Sequence, residues 1–261
     1  MKPITPDEVR VVQCEMLQDV SDFCEQSAIS YFLAYGTLIG AIRHNGFIPW
    51  DDDVDIAMPR PDYDRFVKLY NNRESNYCVI DHSIDNGYRT SFAKVYDKRT
   101  WLDEIKYKDD KFGVYIDIFP IDGVRGKWQI YKAKLLDKFI HAKRANMKKR
   151  SLLKNISNSI VKLMLCPFSI GCLIRYSDKN ARQYAFGTTP EAANLLETYG
   201  FSEVVETSVF EDTIFHKFEG KGFRIPIGYD KWLRSIYGDY MKLPPEDQQV
   251  AHHSFNAYWK D

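Results

Sequence analysis

Four carboxylates fall within five residues of this chain, Asp51, Asp52, Asp53 and Asp55, in the run Trp50-Asp51-Asp52-Asp53-Val54-Asp55-Ile56. Crowded carboxylates repel one another at neutral pH, so such density implies that cations neutralise it. Carboxylate oxygens are hard ligands and suit Mg²⁺ or Mn²⁺. In extended chain Asp51, Asp53 and Asp55 point one way and Asp52 the other. A metal pair needs a further carboxylate, and Asp117 is the best candidate. It alternates with apolar neighbours in Val114-Tyr115-Ile116-Asp117-Ile118-Phe119. A charge inside so hydrophobic a strand is costly unless it is paired or bound to metal; the alternative is a strand-end residue facing water. The chemistry expected is metal-dependent phosphoryl transfer, with Asp53, Asp55 and Asp117 as both catalytic residues and metal ligands. Asp51 and Asp52 are expected to orient those ligands from behind.

Gly36-Thr37 follows one strand-like run and precedes a helix. Glycine lets the backbone approach a phosphate, and a helix amino terminus offers free N–H groups and a positive dipole end. A lone Gly-Thr is a weak signal that gains weight from the aspartates downstream. Arg43 and Lys94 are candidate phosphate ligands, and each is equally readable as a surface ion pair. Lys94 lies in Phe92-Ala93-Lys94-Val95-Tyr96, where an inward charge fits. His252-His253 invites a base or metal reading, but adjacent histidines rarely converge on one ion, and a structural role is favoured.

Other chemistries for the aspartates can be weighed. A calcium-binding EF-hand loop starting at Asp51 needs glycine at its sixth position, where Ile56 stands. A haloacid-dehalogenase-like phosphatase carries its aspartates at the end of an apolar strand; here Ile48-Pro49-Trp50 precedes them and the strand follows. A nucleotide-sugar glycosyltransferase also uses an aspartate pair for metal and remains the rival.

The elements that must hold these residues read as mixed α/β. Thr5-Pro6-Asp7-Glu8 is a helix start with a capping box, and Val9, Val12, Met16, Val20 and Phe23 follow at helical spacing. Strands are predicted at 31–34, 54–58, 77–80, 91–96 and 114–119. Short helices are predicted over 38–43 and from Pro61. After Gly123 the pattern changes: Trp128, Tyr131, Leu135, Phe139 and Ala142 recur at helical spacing with lysines between them. From Gly123 to Ser177 there are 13 Lys and Arg against one acid, Asp137, a net charge of +12 inside a chain whose formal charge is zero. This basic amphipathic stretch either packs its apolar row inward or lies on an anionic surface, lipid head groups or a phosphate-rich substrate. A helix is also predicted over 229–237. We expect a catalytic core at 1–122 and a mostly helical, basic part at 123–261 whose tail, 215–261, packs back on the core.

Composition excludes several classes. At 44% hydrophobic and 28% charged residues the chain is ordinary for a globular protein rather than a disordered one. It has no zinc-finger spacing or RNA-binding aromatic signature, so nucleic acid is not an expected partner. The longest uncharged apolar run, Leu163–Ile174, is 12 residues long, against the roughly 20 a spanning helix needs. Five cysteines without a CxxC pair, and a start from Met1 to Arg10 without an apolar signal region, lead us to expect a reduced, cytoplasmic protein. Peripheral contact with the inner face of the cytoplasmic membrane is a further expectation.

At these motifs the chain strongly resembles the LicD family of phosphotransferases, which includes the fukutin-related proteins. The resemblance rests on Tyr35-Gly36-Thr37-Leu38-Ile39-Gly40-Ala41-Ile42-Arg43, on Ile48-Pro49-Trp50-Asp51-Asp52-Asp53-Val54-Asp55-Ile56, and on Asp117-Ile118-Phe119-Pro120. Ile225–Asp230 and Tyr237–Pro245 resemble the family's carboxy-terminal signature. The likeness is weakest between about Gly123 and Thr213. It implies an α+β, nucleotidyltransferase-like fold: a small mixed sheet flanked by helices, the metal aspartates on adjacent strands, and Gly36-Thr37 as the phosphate-gripping turn. It further implies transfer of a phosphorylated small alcohol from a cytidine diphosphate carrier to a glycan hydroxyl, with release of CMP. CDP-choline is the first donor implied; CDP-glycerol and CDP-ribitol are alternatives. The implied acceptor is a cell-surface glycan: lipopolysaccharide, teichoic acid or capsule, in some cases lipid-linked.

Overall fold

A computed structural model of the chain describes residues 1–104, 112–144, 167–250 and 255–260. The His252-His253 pair and Cys166 lie outside the described residues. Helix α1, Pro6–Ser27, begins with the expected capping box: the Thr5 hydroxyl accepts from the Glu8 N–H at 3.3 Å, and the Glu8 carboxylate accepts from the Thr5 N–H at 2.8 Å. Val9, Val12, Met16 and Val20 bury one stripe of it against the sheet.

The central sheet runs β2 (Phe32–Leu33), β3 (Asp55–Pro59), β7 (Tyr115–Val124), β5 (Ala93–Asp97), β4 (Tyr77–Ile80) in spatial order. β3 and β7 are parallel; the other neighbours along this path are antiparallel. Ile56, Ala57, Met58, Val95, Ile116 and Ile118 are fully buried, as expected of central strands covered on both faces. Helices α2 (Tyr35–His44) and α3 (Arg60–Leu69) follow β2 and β3 directly. This is the α+β, nucleotidyltransferase-like architecture the motifs imply. A small second sheet joins β1 (Lys2–Ile4), β12 (Phe255–Trp259) and β6 (Thr100–Glu104). These strands carry no clear alternation, and the sequence reading omits them.

Beyond β7, helix α4 (Lys127–Arg144) packs against α5 (Ile170–Ala181). The buried stripe of α4 is Ile130, Ala133, Leu136 and Ile140. The row picked out by spacing lies on a different side: Trp128, Tyr131 and Leu135 are 86%, 53% and 49% exposed. Strands β8 (Glu191–Ala193) and β9 (Val205–Glu206) extend the far end of β7. The hairpin of β10 (Thr213–Phe218) and β11 (Lys221–Pro226) turns through Glu219 and Gly220, both at positive φ as a tight hairpin requires. The hairpin packs on β2 and α2, and helix α6 (Tyr229–Tyr237) buries Trp232 against Phe32 and Phe210.

One buried ion network ties the core to α5. Arg60, at the start of α3, makes a bidentate contact with Asp122 at 2.5 and 2.7 Å and reaches Asp178 of α5 at 3.1 Å. Paired in this way, a buried guanidinium is tolerated where a lone one is not. Among the described residues no helix is long and apolar enough to cross a membrane.

Candidate active site

The parallel pairing of β3 and β7 places Asp55 opposite Asp117, and the antiparallel pairing of β7 with β5 places Lys94 opposite Asp117. Residues paired across neighbouring strands share a face. Asp55, Asp117 and Lys94 therefore form a row across three strands, all three buried. The Lys94 ammonium pairs directly with the Asp117 carboxylate and lies 3.5 Å from the centroid of the Tyr115 ring. The inward direction expected of Lys94 is observed, with its charge engaged by Asp117.

The other acids stand just before β3. The strand begins only at Asp55, so Asp51 to Val54 is not extended ladder, and the alternation expected of Asp51, Asp52 and Asp53 is lost. Instead Asp51, Asp52 and Asp53 each bring a carboxylate oxygen within 4.8 Å of the others. Asp52 thus converges with its neighbours where an extended chain would turn it away. Helix α1 grips this loop by its backbone: Arg10 donates to the Pro49 and Asp51 carbonyls at 2.8 Å each, and Gln13 donates to the Asp52 carbonyl at 3.1 Å and the Tyr115 carbonyl at 3.3 Å. Sequence reading passed over Arg10 and Gln13, because each looks like an ordinary polar residue of an amphipathic helix.

Helix α2 starts at Tyr35, earlier than spacing suggests, so Gly36 and Thr37 occupy its first turn. A Cβ at Gly36 would lie 2.6 Å from Oδ2 of Asp51, so the carboxylate packs straight against the helix start. The Thr37 hydroxyl accepts from the Asp55 N–H at 2.8 Å and locks α2 to the beginning of β3. Tyr35 adopts a left-handed backbone, φ 46, and its hydroxyl donates to Glu203 at 2.9 Å and accepts from Asn194 at 2.9 Å. Arg43, in the last turn of α2, donates to the Tyr240 carbonyl at 2.6 Å.

Asp51, Asp53, Asp55 and Asp117 line one cavity of about 760 Å³, together with Gly36, Arg43, Trp50, Tyr240 and Lys242. The predicted residues Thr37, Asp52 and Lys94 are not part of its lining. Burial raises the pKa of Asp55 well above the carboxylate range, and the charges of Asp53, Asp117 and Asp51 push it the same way. Burial also raises Asp117, to about 6, against the opposing pull of Lys94. Burial and the neighbouring Asp53 raise Asp51 as well. Burial is the first cause of each shift and repulsion among the carboxylates adds to it; an added cation would offset both. The oxygen-only chemistry of the set and the convergence of Asp51, Asp52 and Asp53 fit a hard divalent ion; among the described residues Asp55 and Asp117 lie outside that converging group.

The cavity also holds residues that motif reading missed. Asp137 and His141 face it from successive turns of α4, and Glu197 faces it from the loop after β8. The His141 imidazole lies 3.3 Å from Asp137 and 3.5 Å from Glu197, and these partners, Asp137 first, raise its pKa to about 9. A signal existed: Asp137 is the single acid in the +12 stretch, four residues before a histidine. Tyr199 and Tyr237 complete this wall with ring centroids 5.6 Å apart.

Comparison with known proteins matches residues 28–159 to a family model described as "LicD/FKTN/FKRP, nucleotidyltransferase domain". Over 267 aligned residues the chain is 35% identical to the lipopolysaccharide cholinephosphotransferase LicD of Haemophilus influenzae, covering 99% of each chain. It is also 30% identical over 111 residues to an uncharacterized protein of Rickettsia prowazekii, covering 41% of this chain and 38% of that one.

Proposed function

The chain belongs to the LicD/FKTN/FKRP family, and from that premise we propose that it transfers phosphocholine from CDP-choline to a hydroxyl of lipopolysaccharide, releasing CMP, with Mg²⁺ or Mn²⁺ as cofactor. The supporting relative is named for cholinephosphate transfer to lipopolysaccharide and aligns along 99% of its length. The observation that carries the reading is the side-by-side placement of Asp55 and Asp117 next to the converging Asp51–Asp53 loop.

Asp53, Asp55 and Asp117 would hold the divalent ion or ions. When bound, the metal neutralises the donor diphosphate and the charge that builds on the attacking and leaving oxygens. The chain's own residues do the rest by position and charge. The first turn of α2 would lend its positive dipole end to the phosphates, with Asp51 packed in the gap that Gly36 leaves. Arg43 adds a cation at the far end of the same helix. Asp51 and Asp52 orient the acids that precede β3. Asp117 accepts the proton of the acceptor hydroxyl while Lys94 steadies the carboxylate. The acceptor oxygen forms a bond to the phosphorus of phosphocholine, the bond from that phosphorus to the bridging oxygen breaks, and CMP leaves.

The exposed Trp128, Tyr131 and Leu135 row on α4 is flanked by Lys127, Lys132, Lys134 and Lys138. Aromatic rings beside lysines suit an anionic lipid interface. They support peripheral attachment on the cytoplasmic side, where a lipid-linked acceptor would be met. The same acidic centre would also suit a polyol-phosphate transferase using CDP-glycerol or CDP-ribitol and acting on teichoic acid or capsule, or a nucleotide-sugar glycosyltransferase. Incubation with Mn²⁺ and, separately, CDP-choline, CDP-glycerol, CDP-ribitol and a UDP-sugar decides among them. CMP release with CDP-choline alone is expected; release only with another donor overturns the phosphocholine reading.

A further inference from the structure

The cavity is electrically lopsided. Helix α2 runs along it from Tyr35, beside the aspartates, to Arg43, a rise of about 12 Å at 1.5 Å per residue. At that end Arg43 donates to the Tyr240 carbonyl, and Asp239 and Lys242, on either side of Tyr240 in the chain, also line the cavity, so two cations stand there against one acid. The Asp137, His141 and Glu197 group belongs to other elements, α4 and the loop after β8. Glu197 is near enough to Lys94 and Asp117 for their charges to act on one another, which puts it beside the β5 and β7 flank of the centre.

The acidic group carries a net charge of −1 when His141 is protonated, as its two carboxylate partners favour at neutral pH. Tyr199 stands two residues after Glu197 and is 50% exposed. Tyr237 meets that ring edge-on, its hydroxyl donating to that of Tyr199 at 3.2 Å. A quaternary ammonium has no N–H to donate. It is held by a nearby anion and by the faces of aromatic rings. A polyol would need paired donors and acceptors for each hydroxyl. One net negative charge among Asp137, His141 and Glu197, a half-exposed tyrosine ring and a place beside the acidic centre fit the former.

We propose that Asp137, Glu197 and Tyr199 form the subsite for the quaternary ammonium of the transferred group, the nucleotide lying toward Arg43 and Lys242. The assignment rests on the phosphocholine reading and names the residues that select choline over an uncharged alcohol. The ammonium beside Asp137 and Glu197, the diphosphate at the aspartates and the nucleotide toward Arg43 and Lys242 then give the donor a single orientation in the cavity.

The test compares CDP-choline with the CDP ester of 3,3-dimethylbutanol, in which carbon replaces the charged nitrogen at nearly constant shape. The readout is the ratio of kcat/KM for CMP release from the two donors. For the wild-type protein a preference for choline of about tenfold or more is expected, the scale of one to two kcal/mol of ammonium recognition. Glu197→Gln, Asp137→Asn and Tyr199→Leu should each shrink that ratio toward unity through KM for CDP-choline, whatever common loss of turnover accompanies them. Thermal melts identify any variant that fails to fold, and the remaining two still decide. Unchanged ratios in the folded variants, or a wild-type protein that turns over both donors equally, overturn the subsite and leave the transfer reading standing. Absence of CMP release from CDP-choline, with release from another CDP-alcohol, overturns both.

Discussion

Asp55 on β3 and Asp117 on β7 are register partners in a parallel pair, two buried acids side by side with Lys94 next in the row. The charge of Asp117 adds to the burial that opposes ionisation of Asp55. Replacing Asp55 by Asn removes one negative charge while keeping the shape. We expect Asp55→Asn to melt a few degrees above the wild-type protein in the absence of divalent ions. CMP release should fall by about a thousandfold or more. Added Mg²⁺ should raise the wild-type melting temperature and leave that of the variant almost unmoved. A variant that melts lower in chelator than the wild type, or that keeps its turnover, contradicts the role given to Asp55.

Thr37 acts through its hydroxyl on the Asp55 N–H. Thr37→Val strands that buried donor and should cost about 1–3 kcal/mol in urea unfolding. Because the same bond sets α2 against β3, kcat should drop as well. Thr37→Ser retains the acceptor and should recover most of both. Equal behaviour of the Val and Ser variants would place the stabilisation elsewhere.

Arg60 is enclosed by Asp122 and Asp178. Arg60→Ala leaves Asp122 buried without its guanidinium, and a loss of about 3–5 kcal/mol is expected in chemical denaturation. Arg60→Lys should rescue only part of this, since an ammonium does not reproduce the bidentate contact. A loss below 1 kcal/mol would remove this network from the account of how α5 is held.

His141 links stability to pH. Its folded pKa of about 9 lies above the ordinary histidine value of 6.5, so its contribution is complete below 6.5 and is lost as pH rises through 9. The partners are half-exposed, so the effect is about 1 kcal/mol or less. Melting curves of the wild-type protein and His141→Gln should differ at pH 6 and converge by pH 10. A gap that widens with pH would contradict the sign.

The aromatic row of α4 is open to sedimentation with vesicles. The protein should pellet with anionic vesicles at low salt and be released by high salt. Trp128→Ser combined with Tyr131→Ser should abolish the pelleting without altering the melt, because neither side chain is in the core. Protein that stays in the supernatant under both salt conditions ends the membrane proposal.

The place of Asp117 was legible because charge in an apolar strand is a strong signal: of the two readings open to it, an inward acid and a strand-end residue facing water, its burial opposite Asp55 fits the first. The helix caps and the strands around the motifs were legible for the same reason, each being written in local residue types. Asp137, His141, Glu197 and Tyr199 were hidden because they come from two segments about 60 positions apart, and each looks ordinary in its own helix or loop. The row at Trp128 was read from spacing alone. Spacing marks an apolar face but not whether it meets the core, and on α4 the neighbouring Ile130, Ala133 and Leu136 stripe took that place. Asp52 was misdirected because the extended geometry assumed for it begins three residues later.

A bulky aromatic residue rarely tolerates the left-handed backbone of Tyr35. Here the ring is braced by Phe119 and Trp232, and its hydroxyl is moored to Asn194 and Glu203. That mooring couples Asn194 and Glu203 to the start of α2. Any change that lets the ring swing would tilt that helix and shift the Asp51 carboxylate packed against Gly36. Under the proposed reading, the grip on the donor can thus be retuned, in evolution or in the laboratory, by Asn194 and Glu203, which do not line the cavity.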